Sequence, residues 1–101
     1  MKVVLTEQSL SRLEKSLRFF LEELDIPKAQ IVKIKNNLIG KAKSLAKNPY
    51  IGQFEPYLSS LEHGHRRLIE GNFKIIYRVE DDTIYVVDFF DSRDDPKEMK
   101  G

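Results

Sequence analysis

Arg93 stands alone among carboxylates. In VVDFFDSRDDP, residues 86–96, it follows an apolar run and has Asp91, Asp94 and Asp95 around it. An arginine placed just past a hydrophobic strand is either clamped by such acids or offered to an anion from outside. Further cations stand at Arg66, Arg67, Lys74 and Arg78. His63 and His65 have the unperturbed pKa of ~6.5 that suits proton transfer near neutral pH, although histidines of this kind are also ordinary polar residues entering a strand. Spaced as His63-Gly64-His65, they have no evident third ligand, so no metal centre is expected. The chain lacks cysteine, which removes disulfides, thiolate nucleophiles and thiolate metal sites. No cofactor is expected.

These residues need a scaffold, and its size is bounded. A chain of 101 residues favours one domain, 1–101, burying roughly 60–70% of its unfolded surface. MKVVLTEQS lacks the apolar stretch of a signal peptide, and no apolar run reaches the ~20 residues that span a bilayer. The expectation is a cytoplasmic protein with no membrane partner. The net charge of +1 conceals a separation. Residues 28–47 hold six lysines and no acid, whereas residues 80–95 hold seven acids against Arg93 alone. Each block is either a plain solvated face or a surface that attracts its own partner.

KVVLT, residues 2–6, reads as a short opening strand. Leu10, Leu13, Leu17, Phe20, Leu21 and Leu24 then recur at helical spacing. Thr6 suits the N-cap and Glu7 the positive end of the helix dipole. Asp25-Ile26-Pro27 punctuates the pattern. A second helix follows with Ile31, Ile34, Leu38, Ala42 and Leu45 on one side and lysines elsewhere, stopped by Asn48-Pro49. So short a link predicts an antiparallel helix hairpin. Residues 48–64 read as an irregular connection packed on the core, and only the last few residues look loose.

HRRLIE, FKIIYRVE and TIYVVDFF, joined at Gly71-Asn72 and Asp81-Asp82, predict a three-stranded antiparallel meander. Two-residue turns put Leu68, Phe73, Ile75, Tyr77, Val79, Ile84, Val86 and Phe90 on the face that the helices cover. The opposite face receives His65, Arg67, Ile69, Lys74, Ile76, Arg78, Tyr85, Val87 and Phe89. Either the segment 48–64 folds over this second face, or the face is a binding groove; its apolar groups rimmed by charge favour the groove. Alternation also puts Arg93 on this basic face. Asp88 falls on the core face opposite Ile75, where it needs a cation such as Arg66, an open sheet end, or a register one residue different.

The order of elements, and above all RRLIEGNFKIIYRVEDDTIYVVDFFDSRDDP from Arg66 to Pro96, resembles the RelE/ParE superfamily of small bacterial toxins from type II toxin–antitoxin pairs. The shared pattern is diffuse: an arginine, a strand, a turn, an aromatic-basic-aliphatic-aliphatic-Tyr strand, an acidic turn, an aliphatic strand, then Arg before Pro. VVLTEQSLSRLEKSLRFF is similar to the family's first strand and helix. The resemblance implies an α+β fold: a short N-terminal strand, an antiparallel helix hairpin and the meander, with the helices on one face of the sheet.

The resemblance also implies two activities. RelE-like members cut mRNA in the 70S ribosome, and ParE-like members poison DNA gyrase; fold alone does not choose. RNA cleavage would place Lys74, Arg93 and Arg67 as catalytic groups, with Arg66, Arg67, Lys74, Arg78 and Arg93 as phosphate or target contacts. The family's C-terminal tyrosine position falls on Met99, which transfers no proton, and arginine is a poor general base at a pKa above ~12. Whether the protein is an enzyme therefore stays open. Arg93-Asp94-Asp95-Pro96 looks more like the ParE-like ending, and a gyrase inhibitor of the plasmid-stabilisation type needs no proton shuttle. A small cognate antitoxin is implied as partner, lying on Ile69, Ile76, Tyr85, Val87 and Phe89. A homodimer and a toxin–antitoxin hetero-oligomer are both compatible, and a non-toxic binding module on the same fold is a further alternative.

Overall fold

The computed structural model describes every residue from Met1 to Gly101. The β-branched run at the N-terminus forms β1 (Lys2–Leu5), and the period then changes to helical in α1 (Glu7–Glu22). Thr6 is the switch: its hydroxyl accepts the Ser9 N–H at 3.2 Å and donates to the Val86 carbonyl at 2.8 Å. Such a cap contributes about 1 kcal/mol. Leu13, Leu17 and Phe20 are buried, but Leu10, Leu21 and Leu24 from the expected stripe are exposed. After a five-residue link, α2 (Lys28–Ser44) buries Leu38 and Ala42, with Leu45 at its C-cap also buried.

The chain then forms β2 (Gln53–Phe54), a 3-10 helix at Pro56–Leu61, β3 (Arg66–Glu70), β4 (Phe73–Glu80) and β5 (Thr83–Asp91). One five-stranded sheet results, in the order β1-β5-β4-β3-β2. Only the β1–β5 pair is parallel. The expected α+β architecture is therefore present, with the opening strand β1 at one edge of the sheet and one further strand, β2, added at the other. The helix pair closes one face over twelve buried residues, among them Leu13, Leu38, Ile75, Tyr77, Val86 and Phe89.

The β3–β4 register matches the two-residue turn throughout. The β4–β5 register matches from Glu80↔Thr83 to Tyr77↔Val86, then resumes at Ile76↔Asp88. Val87 is left over as a β-bulge. One extra residue inverts every side chain beyond it. Phe89 therefore joins Ile75 under the helices, whereas Phe90, expected there, faces the other side. Asp88 likewise lies opposite Ile76 rather than Ile75.

The second face is not an open groove. Leu58 of the 3-10 helix and Met99 of the C-terminal segment cover Ile76, Val87 and Phe90 in a smaller core. Ile76, Val87 and Phe89, expected as groove residues, are all interior. The connection 48–64 does pack onto the sheet, and the last residues join it instead of hanging free.

Candidate functional site

The second face does gather three of the expected cations. Arg67, Lys74 and Arg78 share it because β3 and β4 keep their predicted alternation. A carboxylate that the sequence reading missed, Glu55, is only 2% exposed among them. Lys74 Nζ donates to Glu55 Oε1 at 3.1 Å, and Arg67 lies 3.6 Å from Oε2. The same carboxylate accepts the Tyr57 N–H at 3.1 Å, capping the 3-10 helix. Arg78 is likewise engaged, paired with Glu80 and lying 4.6 Å from the Tyr85 ring centre. Glu55-Pro56 before a 3-10 turn was the available signal for Glu55, since an acid ahead of Pro suits a cap.

Arg66 and Arg93 are not with them. Arg66 pairs across with Tyr77, so it lies on the helix side at the sheet's edge. There it donates to the Gly52 carbonyl at 2.7 Å and lies 4.1 Å from the Phe54 ring centre. The approach is tight: a Cβ on Gly52 would sit 2.7 Å from the Arg67 carbonyl oxygen and 2.6 Å from the Tyr77 hydroxyl. The bulge carries Arg93 to the helix side too, 5.4 Å from the Phe20 ring centre. Alternation without the bulge had placed it on the basic face.

Arg93 is clamped by its neighbour. Its Nε and Nη2 donate to the two Asp91 carboxylate oxygens at 2.9 and 2.7 Å, and its backbone N–H adds a third bond at 3.0 Å. Burial alone would push the Asp91 carboxyl up, but the hydrogen bonds from Arg93 outweigh it and hold the pKa below the usual range. The hydrogen bonds that Arg93 donates to Asp91 in turn raise the pKa of Arg93. The Arg93 side chain is still 55% exposed. It lines an open cleft of about 880 Å³ between α1 and the C-terminal segment, together with Lys15, Phe19, Leu24, Lys97 and Lys100.

Proton-transfer groups are poorly placed around the cations. His65 is buried, and neither ring nitrogen has a hydrogen-bond partner. Burial first, then the charges of His63 and Arg78, lowers its pKa, so it is neutral at pH 7. The Tyr77 hydroxyl accepts the Gly52 N–H at 2.9 Å on the helix side, and burial raises its pKa. Met99 is packed in the smaller core. Asp88 is fully buried, its Oδ2 accepting the Lys100 N–H at 2.9 Å with Arg12 at 3.9 Å; burial raises its pKa. No group of three or more His, Asp or Glu side chains is placed to hold a metal ion. No helix is long and apolar enough to cross a membrane.

A sheet of this order with a helix pair on one face is an α+β fold that a solved structure shares. A chain of the chromosomal ParDE toxin–antitoxin system from P. aeruginosa superimposes with a TM-score of 0.73 at 19% identity. The match covers 90% of this chain and 95% of that one. No curated protein matches the sequence. The model of the ParE toxin of type II toxin–antitoxin systems matches residues 3–96, and the chain belongs to that family.

Proposed function

We propose that this protein is the growth-inhibiting component of a toxin–antitoxin pair in the cytoplasm, that it acts by binding DNA gyrase, and that a cognate antitoxin neutralises it. The ion pairing of Lys74 and Arg67 with the buried Glu55 carries this reading. RNA cleavage by a 2′-hydroxyl needs cations free to meet the phosphate and a proton-transfer group beside them. Here the two central cations already hold a carboxylate, and His65 is buried. A toxin that works by occupancy needs neither.

Arg93 is the contact residue of this proposal, since it keeps an exposed guanidinium beside the exposed Phe19 and Leu24. Of the expected antitoxin contacts, Ile69 remains available at 63% exposure, with Tyr85 partly so. The test is induction of the chain alone in bacteria, with growth, plasmid supercoiling and mRNA ends followed together. Trapped gyrase–DNA cleavage complexes are expected, and Arg93→Ala reduces them without unfolding the protein. Codon-specific mRNA cleavage would replace this reading with the RNase one, and unaffected growth in the native host would leave a non-toxic binding module.

A further inference from the structure

The strongest charge asymmetry in the sequence is absent from the site described above. Lys28, Lys33, Lys35, Lys41, Lys43 and Lys47 are all exposed, and none makes a salt bridge or a side-chain hydrogen bond. Helix stability accounts for Lys41 and Lys43, which lie in the last turn at the negative end of the dipole, but not for the rest of the set. Lys28 sits at the positive end of the dipole, where a cation is unfavourable. The first turn has no acid and Pro27 offers no side-chain cap. No glutamate stands four residues from any of these lysines along α2, in contrast to the Glu14–Arg18 pair of α1.

The outward side of α2 is also unusually low. On the side away from Leu38 and Ala42, Asn36 and Gly40 lie between Lys33 and Lys43, with Asn37 and Ser44 beyond Lys33 on the flank toward β3. A Cβ at Gly40 would meet nothing within 4 Å. All four of these short residues, with Lys41, line a shallow depression against β3, in which Glu70 is the one acid. Short amide and hydroxyl groups flanked by long cations suit close approach to a phosphate backbone.

We propose that the outer face of α2 docks on double-stranded DNA, through its phosphates and without sequence specificity. Charge complementarity chooses the occupant. A protein partner would want an aromatic or apolar centre, and Val32, about half exposed, is the only exposed large apolar side chain on α2. A single strand would want stacking aromatics, of which α2 has none. A helix of 17 residues, ~25 Å long, fits along the major groove of B-DNA, whereas that of an RNA duplex is too narrow.

The experiment measures binding of the purified full chain to a labelled 20-base-pair DNA duplex by fluorescence anisotropy at 50–200 mM NaCl. With about three lysines engaged, affinity falls about 40-fold over that range. The double variant Lys33→Gln, Lys43→Gln weakens binding at least ~10-fold at 50 mM and flattens the salt slope by about two-thirds. Arg18→Gln on α1 leaves both unchanged, and all three proteins share one melting profile. No binding at 50 mM salt, or an equal loss in Arg18→Gln, overturns the proposal. Equal or tighter binding of a single strand, an RNA duplex or polyglutamate overturns the assignment to DNA. No topoisomerase is present, so the outcome is independent of the gyrase reading.

Discussion

The sheet and α2 hold comparable numbers of cations and use them in opposite ways. On the sheet, Arg67 and Lys74 share Glu55, Arg78 holds Glu80, and Arg66 stacks on Phe54. On α2 every lysine reaches into water without a partner. A buried carboxylate fixes its cations because leaving it unpaired is costly, whereas a solvated lysine gains nothing from staying still. A count of basic residues would treat the two regions alike. Only the sheet's cations are structural; those of α2 are free to act on something else.

The largest test of this contrast removes a cation from each side. Lys74→Met keeps the stem against Tyr57 but leaves Glu55 with Arg67 alone, and should cost about 3 kcal/mol. Thermal unfolding should then begin roughly 15 °C lower. The matched change Lys41→Met on α2 should stay within about 0.5 kcal/mol. Equal losses would abolish the distinction.

A smaller effect follows from the sheet's buried histidine. His65 has a lowered folded pKa, so below pH ~6.5 the unfolded chain takes up a proton that the folded chain refuses. Stability therefore falls as pH drops through that region, until the folded pKa is reached. His65→Leu should remove this slope in denaturant titrations between pH 7 and 5, while the exposed α2 lysines leave it untouched.

The smallest effect belongs to Arg93, which is exposed like the α2 lysines yet paired like the sheet's cations. Arg93→Ala should cost less than about 1 kcal/mol at pH 7. Because Asp91 has a depressed pKa, its stabilisation is present above ~3.9 and is lost as pH falls through the folded value. The variant should show a flatter acid limb in thermal melts from pH 5 to 2. An unchanged limb would show that the Asp91 clamp contributes nothing and put Arg93 with the lysines.

Much of the scaffold was legible because its signals are local. Thr6 announced α1, Gly71-Asn72 fixed the first hairpin, and alternation assembled Arg67, Lys74 and Arg78 on one face. The bulge was not legible. Val86-Val87-Asp88 has no glycine or other mark of an extra residue. Missing it misplaced Phe89, Phe90, Asp88 and Arg93 together. Glu55 and Met99 were missed for a similar reason, since neither residue announces which distant surface will receive it.

The position of β5 carries a consequence for timing. β1 is made first, yet its only partner in the sheet is β5, some eighty residues later. At ~5–20 residues per second of synthesis, β1 waits roughly 4–16 s before its partner exists. Its pairing also closes a loop of some eighty residues, a slow event for a domain of this size. The helix hairpin can form early, but β5, the strand on which α1 packs, is made after every other strand. Nascent chains of this protein therefore stay without their complete native sheet, and without any surface built on it, until β5 has been made.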